Sequence, residues 1–189
     1  MRRVALLFAL AVTVTGCSEP TTGTPSAGDQ TSATSGSQTK APTSSKAAVS
    51  RPKKIDLKPV QSDICSLLTD AQRQQFGLKK VEESRPSSFL KDAKRCAANT
   101  DDNLIPDYTA VTGEGVEKYS SGNGVSPAQV GGFPAYKRAD DHNCALAIDV
   151  ADGQMLMVSY STISSGKGDV LCQKVTPFAE AVMATLLSR

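Results

Sequence analysis

Five cysteines stand in this chain of 189 residues, at positions 17, 65, 96, 144 and 172, and the first of them decides how the other four are read. Ahead of Cys17 lies a leader in three parts: the basic pair Arg2-Arg3, an apolar run over residues 4–14, and the small-residue stretch Thr15-Gly16. That order is the signature of a secretory signal. The eleven residues of the apolar run are too few to cross a bilayer, which takes about 20. An exported chain meets an oxidising compartment, where an even set of cysteines in one domain reads as disulfides. Cys65, Cys96, Cys144 and Cys172 form such a set, and residue spacing does not separate their possible pairings. A zinc site is the rival reading, but no C-x-x-C pair occurs among them and structural zinc sites are built on closely spaced ligand pairs.

The fifth cysteine then needs a use of its own. In Val14-Thr15-Gly16-Cys17 a small residue directly precedes the cysteine and a branched apolar residue lies three before it. This resembles the bacterial lipobox, in which the cysteine is acylated and becomes the new N-terminus; ordinary A-x-A cleavage beside an incidental thiol is the alternative. A single fatty chain such as palmitate anchors only marginally, whereas several on one cysteine hold a protein on the membrane. Residues 1–16 are therefore expected to be a lipoprotein signal peptide. Cys17 is the expected lipidation site, placing the product on the extracytoplasmic face of the cell membrane.

Arg2 and Arg3 account for the whole formal charge of +2, so the chain from Cys17 onward is formally neutral. Its basic residues gather in the stretch 40–58, with Lys40, Lys46, Arg51, Lys53, Lys54 and Lys58 against Asp56 alone, while the part from Pro59 onward is slightly acidic. A nucleic-acid-binding domain would concentrate such charge on its own folded surface, so none is expected as a partner. Residues 18–54 are dominated by Ser, Thr, Ala, Gly and Pro and cannot bury enough apolar surface to offset their ordering entropy. Residues 17–58 accordingly read as lipidated cysteine plus disordered linker, with residues 51–58 its solvated end or a contact for anionic lipid or wall polymer. Residues 59–189 read as one domain, long enough to bury about two-thirds of its unfolded surface.

Within it, Thr69-Asp70-Ala71-Gln72 is a capping box and Gly77 a C-terminal stop, which predicts a short helix over residues 70–76 with Leu78 folded back on the core. Residues 79–94 are polar, include Pro86 and read as loop. Residues 144–150 and 155–160 read as strands around Asp152-Gly153, which predicts a hairpin. Residues 132–137 predict a further strand whose Pro134 suits a strand start or sheet edge. Residues 95–99 and, more weakly, 108–112 are additional strand candidates, and residues 113–127 read as a long loop. Leu171, Val175, Phe178, Val182 and Leu186 mark one stripe of a closing helix with Asp169 as its cap; Pro177 inside it predicts a kink, or a restart capped by Thr176. The fold class expected is α+β: an antiparallel β-meander with a short N-terminal helix and a longer C-terminal helix packed on it, and two disulfides.

Few residues suggest chemistry. His142, the only histidine, sits in Asp140-Asp141-His142-Asn143, which reads as a polar turn before a strand. One imidazole with neighbouring carboxylates in a loop lacks fixed ligand spacing. Asp101-Asp102-Asn103 with Asp107 falls short of the calcium-loop pattern. Ser88-Phe89-Leu90-Lys91 matches S-x-x-K and Ser121-Gly122-Asn123 is an echo of the second motif of penicillin-recognising enzymes, but K-T-G is missing. Ser165-Gly166-Lys167-Gly168 precedes a helix without phosphate-loop spacing, and Asp169 would place a negative charge where the anion should bind. No catalytic residue, metal site or cofactor is therefore assigned.

The arrangement resembles the actinobacterial lipoprotein family known as domain of unknown function 3558. Cys65-Ser66-Leu67-Leu68-Thr69 with Ala71 carries the likeness, followed by Arg95-Cys96, Val130-Gly131-Gly132 with Pro134-Ala135, Cys144, and Asp169 with Cys172 before the last helix. Ile64 stands where members usually have proline, and Ala97 or Ala98 where they have an aromatic residue. The resemblance implies pairing of Cys65 with Cys96 and of Cys144 with Cys172. It carries over no catalytic residue. The function expected is that of a membrane-anchored extracytoplasmic lipoprotein, a non-enzymatic binding or accessory module of the cell envelope. Its expected partners are the membrane, through the lipid on Cys17, and a wall component or envelope protein. A small extracytoplasmic hydrolase is the alternative. The contact surface is expected on the sheet face away from the last helix and in residues 113–127, since rigid scaffolds present function on their loops.

Overall fold

A computed structural model describes residues 50–189; the leader, Cys17 and the chain to residue 49 lie outside the described residues. A 3-10 segment, Lys58–Leu67, opens on Pro59 and breaks at Asp63. The short helix α1, Asp70–Gln75, follows. Three strands come next, β1 Lys79–Ser84, β2 Ala93–Asn99 and β3 Leu104–Val111, then the single-turn helix α2, Val116–Ser120. Four more strands, β4 Val125–Val130, β5 Phe133–Ala139, β6 Asn143–Ala151 and β7 Gln154–Thr162, lead to α3, Gly168–Leu187.

All seven strands form one antiparallel sheet in the order β1-β2-β3-β7-β6-β5-β4. The sheet is two meanders rather than one, joined where β7 pairs with β3. The connection from β3 carries α2 to the far edge, and the chain then returns strand by strand to the centre. Both edges explain what the sequence concealed. β1 lies in the stretch read as loop, and it is an edge strand whose Lys79, Lys80, Glu82 and Glu83 are exposed; charge on an edge deters pairing with a second chain. β4 begins inside the other expected loop, and Pro127 is tolerated there because that strand has a neighbour on one side only.

The short helix forms as its capping signals require. The Gln72 N–H donates to Thr69 Oγ1 at 3.2 Å while the Thr69 N–H donates to Gln72 Oε1 at 2.8 Å. At the other end Gly77 takes φ +60°, the Gly77 N–H donates to Gln74 O and the Leu78 N–H to Arg73 O, which closes the helix and turns Leu78 onto the core. α3 is one helix running through Pro177, without the restart at Thr176, and it begins after Lys167, so Asp169 sits in its first turn rather than at the cap. By length and composition α3 could cross a membrane, but Leu171, Val175, Phe178, Val182 and Leu186 are buried against the sheet.

One face of the sheet is covered by α3 over β6 and β7 and by the 3-10 segment over β2 and β3. Phe178 fills the centre, with ring centroids 5.2 Å from Phe76, 5.3 Å from Tyr160 and 6.1 Å from Tyr108; the first two are edge-to-face contacts, the geometry the ring quadrupole favours. Two disulfides staple this layer to the sheet. Cys65 at the end of the 3-10 segment is bonded to Cys96 on β2, and Cys144 on β6 to Cys172 on α3, each with Cα atoms 5.2 Å apart. This is the pairing the resemblance implied.

Residues 51–58, read as a solvated linker end, belong to the packed structure. Leu57 is fully buried and Ile55 nearly so. The Ile55 N–H donates to Val150 O at 2.9 Å and the Leu57 N–H to Gln154 Oε1 at 2.7 Å. Arg51 lies 3.0 Å from Asp149 and also pairs with Asp152, which Lys54 meets at 2.5 Å. Arg51 and Lys54 find their acidic partners on the β6–β7 hairpin, 98 to 101 residues further along the chain, where composition alone gives no sign of them.

Candidate functional site

The other face of the sheet is only partly covered. Strand alternation places Glu82 and Ser84 of β1, Arg95 of β2, Asp107 and Thr109 of β3, Met157, Ser159 and Ser161 of β7, and Asn143 and Ala145 of β6 on it. At the end nearest the β6–β7 hairpin, α2 and the β1–β2 loop close over it. Val111, Val116, Ala147 and Met155 form a second small core there, with Leu90, Tyr119 and Tyr136 packed around them. Burial raises the Tyr119 phenol above its ordinary pKa, with Arg138 opposing. Beyond that cap the face stays open, and a cleft of about 340 Å³ remains between the β1–β2 loop and the strands.

Its floor is polar. Asp107 is 7% exposed; its Oδ2 accepts from Arg95 Nη2 at 2.9 Å and from Ser159 Oγ at 2.7 Å. Asp107 and Ser159 are directly opposed across β3 and β7, so the two rigid central strands set the second contact. Thr109, Asn143 and Ser161 add a hydroxyl, an amide and a second hydroxyl, while Leu90, Ala145 and Met157 supply an apolar wall. Arg85 stands exposed beside the β1–β2 loop and lines the same cleft; it has no carboxylate partner among the described residues. At the tip of that loop Phe89 is 83% exposed.

The model of the family described as Protein of unknown function (DUF3558) matches residues 12–185. The chain belongs to that family. Compared with curated proteins and with solved structures, it matches none. The family match spans both the described domain and the stretch around Cys17, which lies outside the described residues.

In this DUF3558 domain the four cysteines of the sequence-based set are spent on the two disulfides, far from free-thiol chemistry. His142 is exposed in the β5–β6 turn, and its backbone N–H donates to Asp140 Oδ1 at 2.8 Å, which is turn-forming work. Asp140 and Asp141 meet Asp169 around a shallow hollow, yet no group of three or more metal-ligating side chains occurs among the described residues. Asp101 pairs with Lys79, and Asp102 accepts from the Thr100 hydroxyl, which holds its carboxyl below the ordinary range, with Lys174 adding to the effect. Ser88 and Lys91 lie in the β1–β2 loop outside the cleft lining.

The cleft-forming trio Arg95, Asp107 and Ser159 was not assembled from sequence. A signal for it existed: Asp107 and Thr109 among the largely apolar residues of β3, and a switch from Met155 and Met157 to Ser159 and Ser161 along one face of β7. The expected surface, the face away from α3, does carry the cleft. Residues 113–127 do not line it; they supply α2 and the start of β4, and they seal the neighbouring half of the face.

Proposed function

We propose that this DUF3558 member is a lipid-anchored extracytoplasmic binding module of the cell envelope, held through Cys17 and taking its ligand in the cleft of the open sheet face. The cleft's composition carries the binding part of this reading. Its only carboxylate, Asp107, is already engaged by Arg95 and Ser159, and neither a histidine nor a second carboxylate lines it among the described residues. Acid–base hydrolysis needs a pair of groups able to hand a proton across the substrate, so nothing in the cleft favours the hydrolase alternative. Export and anchoring are supported by the leader, by the lipobox-like Val14-Thr15-Gly16-Cys17 and by two disulfides that consume the remaining cysteines.

Both halves are testable in intact cells. Cys17→Ser should move the protein from the membrane to the soluble fraction; equal membrane retention, with unchanged detergent partitioning, refutes the anchor. A photo-crosslinking residue at Met157 should capture an envelope component that the same residue at exposed Glu180 on α3 does not. Equal capture from both positions, or hydrolysis of an ester, glycan or peptide by the purified domain, refutes the binding reading.

A further inference from the structure

The charges that line the cleft define what it takes. Arg95 is held by Asp107 through one nitrogen and keeps 28% of its side chain in solvent, so donors of its five-donor fork remain unspent. Asp107 is 10% exposed by side chain and turns one oxygen to two partners. Arg85 contributes a second guanidinium with no carboxylate partner among the described residues. Two guanidinium groups against one carboxylate leave the cleft one positive charge in excess. A more open depression shares Arg85 and Pro86 and is lined by Ser84, whose hydroxyl is buried without a hydrogen-bond partner.

We infer that the cleft binds a small monocarboxylate bearing hydroxyl or amide groups, with the carboxylate held between Arg85 and Arg95. This rests on the binding reading of the cleft given above. A planar guanidinium fork matches a carboxylate edge in two parallel bonds. A doubly charged phosphate would meet the fixed negative charge of Asp107, whereas a single charge neutralises the excess. Thr109, Asn143 and Ser161 can address hydroxyl or amide groups next to the carboxylate, and Met157, Ala145 and Leu90 can carry the carbon skeleton. The volume of about 340 Å³ is at the small end of ligand sites and suits one monosaccharide or a capped amino acid. An acidic sugar and a peptide C-terminus share this chemistry.

The test is an amide-resolved NMR titration of the oxidised domain, residues 50–189, with D-glucuronate and N-acetylalanine. D-glucose and N-acetylalanine amide are the neutral twins, and glucose 6-phosphate is the doubly charged competitor. At least one carboxylate should give saturable shifts at residues 85–95, 107–109 and 157–161, and whichever binds more tightly names the source. Its neutral twin, and the phosphate, should bind at least about tenfold more weakly, the loss expected for a charge-assisted hydrogen bond. Arg85→Gln should cost a similar factor and Arg85→Lys less. Saturable binding of a neutral twin or the phosphate with equal affinity, indifference to Arg85→Gln, or no saturable shift from either carboxylate overturns the ligand class. Capture through Met157 in cells would survive that failure if the cleft serves another ligand, and is lost only if the binding reading itself is wrong.

Discussion

Residues 51–57 look like tether in composition and behave in the structure as part of the core, which makes Leu57→Ala a sharp test. Leu57 is fully buried, and truncating a leucine in such a site costs roughly 2–5 kcal/mol from lost transfer energy and the cavity left behind. The segment is neither helix nor strand and can relax, so about 2–3 kcal/mol is expected, the lower part of that range. A ceiling applies as well. Ordering each residue of the segment costs about 1–2 kcal/mol, so the contacts of residues 51–57 largely offset their own ordering and the net docking energy is modest. No substitution there can destabilise the domain by more than complete undocking does. Urea unfolding followed by circular dichroism, on the parent starting at residue 50, on Leu57→Ala, on Arg51→Ala and on a chain starting at Lys58, measures all three losses. The truncated chain should lose at least as much as Leu57→Ala. Arg51→Ala should lose only about 0–1 kcal/mol, because its ion pairs are partly in solvent. If Leu57→Ala leaves stability unchanged while Leu156→Ala, equally buried on β7, is strongly destabilised, the segment is not docked in solution.

Two further outcomes follow from the covalent frame and from burial. The disulfides close separations of 31 and 28 residues, each worth about 3.5–4 kcal/mol on the chain-entropy model, so replacing either pair by alanine should lower the unfolding free energy by roughly that amount; free thiols at Cys65 or Cys172 in non-reducing peptide mapping would contradict the frame. Burial pushes the Tyr160 phenol up to about 12, with Asp102 adding to it. The unfolded chain therefore gives up this proton first, near pH 10, and stability present below that pH is lost as pH rises through about 12. Tyr160→Phe should flatten the fall in urea midpoint between about pH 9.5 and pH 11.5, and an unchanged slope would show that Tyr160 is hydrated.

What the sequence disclosed was local. The capping box at Thr69, the stop at Gly77, the β6–β7 hairpin and the stripe of α3 each depend on residues within a few positions of one another, and each is present. What it concealed depends on neighbours far along the chain. β1 carries no alternation because it is an edge strand on which only Val81 and Ser84 are partly buried and the other four residues are exposed. α2 is a single turn whose Val116 is buried only because Met155 and Ala147 lie beneath it. Arg51 resembled any linker cation until Asp149 and Asp152 were placed opposite it. The cleft is the extreme case: Arg95 and Asp107 are both visible in the sequence, but their pairing, and their position beside Ser159, require β2, β3 and β7 to be adjacent in register.

That trio also allows stability and binding to be separated. An ion pair between a buried carboxylate and a half-buried guanidinium loses most of its attraction to desolvation, and replacing such pairs with apolar side chains of similar volume is often neutral or stabilising by about 1–4 kcal/mol. The triple variant Arg95→Met, Asp107→Leu, Ser159→Ala removes the charges together with the hydroxyl that donates to Asp107, so no buried partner is left unsatisfied. Its urea midpoint should equal or exceed that of the parent, and its carboxylate affinity should disappear. Arg95→Met alone should be the worse protein, because the Asp107 carboxyl, at 10% side-chain exposure, is left with only the Ser159 hydroxyl to answer it. If the triple variant is instead destabilised by several kcal/mol, the network is structural cement for the β3–β7 junction. In that case the polar floor of the cleft is no evidence for a ligand.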